Sequence, residues 1–254
     1  MVEGMTAQKP LSTRIAAITG ASSGIGEATA TRFAADGARV ALLARRADRI
    51  DALAAQLGAS ALAVTTDVTD PAQLDAAAAT VEAAFGPADL VVANAGIMHV
   101  APFHEARRDE WQQMISLNIM GVLDTVRAFL PGLLAAADAG RPADLVIVSS
   151  LAARQYSPGF GVYAATKAAV TALAASLRVE FGGRGLRVTN VEPGVTDSEL
   201  GERVGHDQWR EMLSERKAQM NSLTATDIAD AIADAVSRRA GVHIRELVVH
   251  PTTP

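Results

Sequence analysis

Short runs of uninterrupted apolar residues alternate along this 254-residue chain with longer stretches whose apolar residues recur every three or four positions. The first run, Ile15-Ala16-Ala17-Ile18-Thr19, stops abruptly at Gly20-Ala21-Ser22-Ser23-Gly24-Ile25-Gly26. An apolar run of this length ending in glycines reads as a buried strand, and the segment from about Ile25 to Ala35 as a helix. Arg39 to Ala44 and Ala61 to Val64 are the next strands, separated by a helix through Ile50, Leu53 and Leu57. Asp70-Pro71 opens another helix, with proline in the first turn, where its missing N–H is not needed. A strand follows from Ala88 to Val92, then helix from Arg108 to Asn118 and on to Leu134, then a strand from Ala143 to Val148. A helix from Val162 to Phe181, a strand from Leu186 to Val191, a helix from Asp227 to Arg238 and a strand from Glu246 to Val249 complete the pattern.

Strands apolar on both faces and alternating with helices predict an α/β fold, a doubly wound parallel sheet with helices on both sides. No repeat, low-complexity tract or linker interrupts the pattern, so a single domain is expected over residues 12–254, with a flexible N-terminus over 1–11.

Composition narrows the function. A formal charge of −5 provides no basic footprint for nucleic acid. The absence of cysteine excludes disulfides, thiol catalysis and thiolate metal sites. The first residues hold no signal-peptide core and no later run approaches a membrane span, so a cytoplasmic protein without a membrane partner is expected. The five histidines lack ligand spacing, and no metal site is expected.

Two stretches suggest nucleotide chemistry. In the loop from Gly20 to Gly26 the G-x-x-x-G-x-G spacing lets backbone N–H groups of Ser22, Ser23 and Ile25 approach a pyrophosphate, whose charge then faces a helix N-terminus. A dinucleotide fold reads the adenosine ribose at the end of its second strand, where an acid would repel a 2′-phosphate. That position is Ala44 here, followed by Arg45 and Arg46, whose guanidinium groups suit a phosphate. NADP(H) is therefore predicted over NAD(H). Further on, Tyr163 and Lys167 stand four apart, one turn along the same helix face. A cation beside a phenol favours the phenolate and should bring the Tyr163 pKa down from about 10 toward the range of a usable acid/base.

Together with Asn94-Ala95-Gly96, Asn118, Ser149-Ser150 and Pro193-Gly194, these features resemble the short-chain dehydrogenase/reductase family from about Arg14 to Val249. The resemblance implies a single Rossmann-type domain with a seven-stranded parallel sheet. It implies that Tyr163 is the acid/base, that Lys167 lowers its pKa and holds the nicotinamide ribose, and that Ser150 bonds the substrate oxygen. Asn118 would kink its helix and hold a water leading to Lys167. Gly20, Gly24 and Gly26 match the family glycines, Asp67 and Val68 an adenine-contacting pair, and Asn94 a sheet-fixing residue. Pro193, Gly194, Val195 and Thr196 would lie along the nicotinamide. The subgroup containing clavulanic acid dehydrogenase and the serine or 3-hydroxy acid dehydrogenases looks nearest, on Glu192-Pro193-Gly194, Ile228-Ala229 and a C-terminus without D-G-G.

The same resemblance places a substrate loop over residues 194–223. Trp209 and Met212 are candidates for its apolar underside, and Met98, His99, Leu151, Gln155 and Phe160 for the pocket wall. A small aldehyde, ketone or alcohol is the expected substrate. The alanine-rich helix after Tyr163 has more apolar surface than a sheet can cover, which predicts a homotetramer or dimer. The rival readings are an NADP(H)-binding regulator without catalysis, which has little need for Ser150, Tyr163, Lys167 and Asn118 together, and a nucleotide-sugar epimerase, which needs a larger C-terminal substrate region.

Overall fold

The computed structural model describes residues 9–197, 199–200, 206, 209, 211 and 222–252. Its strands are β1 (Ile15–Thr19), β2 (Arg39–Ala44), β3 (Ala61–Thr65), β4 (Leu90–Ala93), β5 (Asp144–Val148), β6 (Arg187–Pro193) and β7 (Glu246–Val249). Between them lie α1 (Gly24–Ala35), α2 (Ala47–Leu57), α3 (Pro71–Phe85), α4 (Arg108–Ile115), α5 (Gly121–Asp138), α6 (Gly161–Phe181) and α7 (Ala225–Val236). The seven strands form one parallel sheet in the order β3-β2-β1-β4-β5-β6-β7.

Strand alternation divides the core into two layers. Ala41 and Leu43 of β2 join Leu74 and Val81 of α3, Val126 and Leu133 of α5 and Val170 of α6. Val40 and Leu42 face the other way, toward Phe33 of α1, Ile50 of α2 and Ile228 and Ile232 of α7. Local chemistry sets the helix starts: Asp70 accepts from the N–H groups of Ala72 and Gln73 at α3, and Thr224 with Asp227 forms a capping box at α7.

Buried charges tie the N-terminal edge of the sheet. Arg14 Nε donates to Asp89 at 2.8 Å and its Nη2 to Asp144 at 2.8 Å, while Arg187 makes two 2.7 Å bonds to Asp144. Arg187 also donates to the carbonyls of Val236, Arg238 and Val242. These bonds link β1, β4, β5 and β6 at the end remote from the glycine loop. Removing one partner from such a set costs about 3–5 kcal/mol, because the charge left behind is buried and unpaired.

Two expectations are corrected. Residues 9–11 are not a free tail: Leu11 is fully buried in the layer containing Phe33, and its N–H donates to the carbonyl of Asp36. Burial of the Leu11 side chain contributes about 1.5–3 kcal/mol toward holding this segment in place. The helical run Arg108–Asp138 is also long and apolar enough to match a bilayer span, with an 18-residue stretch of mean hydropathy 1.5. Its composition follows from its place in the fold, since Val122, Val126, Phe129 and Leu133 pack in the core.

Candidate active site

Strand order reverses between β1 and β4, so the loops leaving their carboxyl ends diverge and open a crevice, the usual ligand position in such sheets. A cavity of about 910 Å³ occupies this crevice. At one end it meets Gly20, Ser22, Ser23, Gly24 and Ile25 of the glycine loop, with Arg45, Arg46, Asp67 and Val68. Asn94, Ala95, Gly96 and Met98 line its middle. At the other end are Ser150, Leu151, Gln155, Phe160, Tyr163, Lys167 and the Pro193-Gly194-Val195-Thr196 segment.

The glycine loop is shaped by close approach. A Cβ on Gly26 would lie 2.4 Å from the carbonyl oxygen of Gly20, so only glycine lets α1 pack against the end of β1. Gly26 accordingly sits behind the cavity wall. Gly20 and Gly24 have positive φ, and a Cβ on Gly20 would meet Asn94 Nδ2 at 2.8 Å. No side chain caps the first turn of α1. Its N-terminal N–H groups therefore face the cavity with the positive end of the helix dipole, an environment suited to a pyrophosphate.

Arg46 and Arg45 divide their work unevenly. Arg46 donates from Nε and Nη2 to Ser22 Oγ at 3.0 and 2.8 Å, and from Nη2 to Ser23 Oγ at 2.6 Å. Arg45 is 62% exposed and stands 3.8 Å from Asp67. Asn94 fixes β4 to β1, donating from Nδ2 to the carbonyl of Thr19 at 3.0 Å, while its N–H donates to Thr19 Oγ1 at 3.0 Å.

At the other end, β5 delivers two adjacent serines with opposite fates. Ser149 turns into α6, donating to the carbonyl of Lys167 and pairing with Thr171. Ser149 and Ser150 both border the cavity, and Ser150 hydrogen-bonds the Tyr163 hydroxyl. Lys167 Nζ donates to the carbonyl of Val148 at 3.0 Å and lies 5.9 Å from the Tyr163 ring centroid.

The electrostatics correct the expectation for Tyr163. Burial pushes its pKa up to about 12, with the Ser150 bond pulling weakly the other way. Burial also brings Lys167 down to about 8. Desolvation of the phenolate outweighs the opposing Ser150 hydrogen bond, so at neutral pH Tyr163 and Lys167 are both protonated.

Asn118 is buried outside the cavity lining, within a π-turn over Ser116–Met120 that separates α4 from α5. Its Oδ1 accepts from the N–H of Ile97 at 2.9 Å, and its Nδ2 donates to the carbonyl of Ile97 and to Thr166. It clamps the segment after Gly96 to α6, next to Lys167.

The wall candidates separate. His99 is displaced from the main cavity: it lines a neighbouring cavity of about 180 Å³ with Trp111 and Met114, and its Nε2 pairs with Gln113 at 3.1 Å. Trp209 packs over Gly159, where a Cβ would lie 3.0 Å from its ring, and is not part of the main wall. His99 thus points toward α4, and Trp209 toward the Gly159 bend. Met212 lies outside the described residues. The ends of the 194–223 stretch meet, since Thr196 bridges to Leu223 and Leu223 N–H donates to the carbonyl of Val195.

Three participants escaped the sequence reading. Arg154, just past Ser150, donates to fully buried Glu192 at 3.0 Å and so ties the Ser150 turn to the strand entering Pro193. The strand around Glu192 also carries Arg187, Thr189 and Asn190, so a further polar residue there gave little local signal. Glu199 pairs with Arg46 across 153 residues, and nothing local announces that contact.

Residues 14–209 match the family described as short chain dehydrogenase. The chain is 36% identical over 236 residues to serine 3-dehydrogenase of Agrobacterium fabrum, covering 92% of both chains. It is 38% identical over 246 residues to glycine betaine reductase ATRR of Emericella nidulans, where it covers 95% of this chain but only 19% of that much longer protein. A closed form of serine dehydrogenase complexed with NADP+ superposes with a TM-score of 0.86 at 30% identity, covering 93% of this chain and 94% of the other. The chain therefore belongs to the short-chain dehydrogenase/reductase family of oxidoreductases, among members similar to the serine dehydrogenases.

Proposed function

We propose that the protein is an NADP(H)-dependent oxidoreductase that interconverts a small aldehyde or ketone and the corresponding alcohol, with Tyr163 as the acid/base. The observation that carries this reading is the pairing of two chemistries in one cavity, Arg46 with Ser22 and Ser23 at one end and Ser150 with Tyr163 at the other. The uncapped start of α1 and the crowded Gly20–Gly26 contact fit a dinucleotide, and the similar serine dehydrogenase holds NADP+. When bound, the nicotinamide supplies or accepts the hydride.

The remaining work belongs to the chain. The Ser150 and Tyr163 hydroxyls donate to the substrate oxygen and stabilise the charge that develops on it. Tyr163 gives the proton in reduction and takes it in oxidation. Its high pKa at rest suits the acid role, because the proton is in place at neutral pH. Lys167, cationic below about 8, opposes the build-up of negative charge on the phenol as the proton leaves. Asn118 holds the Ile97 segment and α6 in register, which keeps Lys167 under Gly96.

Leu151, Ala152, Gln155, Ser157, Phe160, Met98 and Leu200 surround the catalytic end. Among the described lining residues Lys167 is the cation nearest Tyr163; both lining arginines stand at the other end. That distribution favours a neutral carbonyl compound over a carboxylate-bearing one. The test is NADPH oxidation against a panel of neutral aldehydes and ketones, with serine and 3-hydroxy acids run in the reverse direction. Turnover of neutral carbonyls with NADPH is the expected result. Tight NADPH binding without turnover across the panel would favour the regulatory reading instead.

A further inference from the structure

Glu199 was assigned no role by the motifs, yet it reaches the charged end of the cavity. Its Oε2 accepts from Arg46 Nη1 at 2.8 Å and its Oε1 from Arg49 Nη1. Arg46 Nε and Nη2 are meanwhile spent on the hydroxyls of Ser22 and Ser23. All three guanidinium nitrogens therefore have partners, and among the described residues the anionic partner of Arg46 is a carboxylate from the chain itself. Arg46 and Glu199 are each only about a third exposed and both line the cavity, so this ion pair stands inside the site rather than on the outer surface.

We propose that Glu199 is a built-in competitor for the cofactor's 2′-phosphate at Arg46, and thereby sets how strongly the protein prefers NADP(H) to NAD(H). This rests on the NADP(H) reading above. A phosphate and a carboxylate make the same demand on a guanidinium fork, and neither tolerates the other at contact distance. To engage Arg46, the phosphate must take the Nη1 edge from Glu199. Arg49 gives the displaced carboxylate somewhere to go: it already binds Oε1, lies one turn along α2 from Arg46, and is 45% exposed. The Arg49 and Arg46 bonds hold the Glu199 carboxyl down at about 2, so the competitor is ionised throughout the working pH range. A cofactor without the phosphate leaves the Glu199–Arg46 pair intact and is indifferent to it.

Glu199 follows the Pro193–Thr196 segment by three residues, which gives the competition a second consequence. The same short stretch borders both ends of the cavity, so occupation of the phosphate position and the placement of the segment beside Tyr163 share one chain connection.

Binding of two adenosine fragments, measured by titration calorimetry without nicotinamide or substrate, tests the inference. Adenosine 2′,5′-bisphosphate carries the discriminating phosphate and adenosine 5′-monophosphate lacks it. Glu199→Gln removes the charge and keeps the shape, and Glu199→Ala removes both. Either variant is expected to bind the bisphosphate roughly fivefold more tightly, the weight of a partly exposed ion pair, with the monophosphate unchanged. In an Arg46→Ala background the gain should vanish. A wild-type preference for the bisphosphate that both variants leave unchanged, or weaken, overturns the role of Glu199. A wild-type protein that binds the two fragments equally overturns the NADP(H) reading itself, so the two failures are told apart.

Discussion

Tyr163 and Lys167 show how burial and charge compete at the scale of single residues. Alone, a lysine one turn from a tyrosine should lower the phenol's pKa. In the folded chain both are almost completely buried, and each shifts toward its neutral form, tyrosine up to about 12 and lysine down to about 8. The sign for catalysis follows. Below about 8 Lys167 is cationic and can support charge on Tyr163; above it that support is lost, while the tyrosine stays protonated. Carbonyl reduction is therefore expected to be level near neutrality and to decline as pH passes about 8, read from the pH profile of kcat. A rate that climbs through that range would contradict the assignment. The pair was legible in the sequence because helical spacing alone brings its members together. The balance of burial against charge was not, since it depends on how deep β5 and α6 set them. Arg45 and Arg46 give the same lesson: adjacent and chemically equal in the sequence, they part because the chain turns Arg46 toward Ser22 and Ser23 and leaves Arg45 in solvent.

Elements were more legible than contacts. Doubly buried strands are continuously apolar and end at glycine or polar residues, so β1 and β2 have the bounds the pattern predicts; β7 also has its expected bounds, although it is an edge strand with Glu246 and Val248 exposed. The pattern predicts helix from Arg108 through Asn118 to Leu134, and the structure interrupts it with the π-turn over Ser116–Met120, where the family resemblance puts a kink. Residues whose roles come from distant partners stayed hidden, as with Glu199 and with His99, which faces α4. Helix α6 has two contrasting faces. Its inner face carries Tyr163, Thr166, Lys167, Val170 and Ala174, all buried. Its outer face exposes Ala165, Ala169, Ala172 and Val179, the last 87% exposed, beside exposed Ile115, Met120 and Leu123 of the neighbouring α4–α5 run. We propose that a second copy of the chain covers this face, and that the protein is a dimer or tetramer. Ala169→Glu should shift it to smaller species in sedimentation velocity, because a carboxylate cannot be buried there unpaired. A wild-type protein that sediments as a monomer at micromolar concentration would refute this.

For the whole molecule, topology explains why remote stretches meet. The reversal of strand order between β1 and β4 opens the crevice, and every strand bordering it points its carboxyl end that way. Glycines from the first loop, arginines after β2, the Asn94 turn after β4, Ser150 after β5 and Pro193 at the end of β6 thus converge without being near in sequence. The buried Arg14–Asp89–Asp144–Arg187 set ties the strands at the opposite end, so stability and chemistry occupy separate edges of one sheet. That separation makes the central claim testable at one atom. Tyr163→Phe deletes the hydroxyl while keeping the ring that packs against Phe160. NADPH binding and NADPH-linked carbonyl reduction should be measured side by side on this variant. The account predicts an unchanged Kd for NADPH and a kcat lower by about 10² or more. Turnover within a few-fold of the wild type would contradict it.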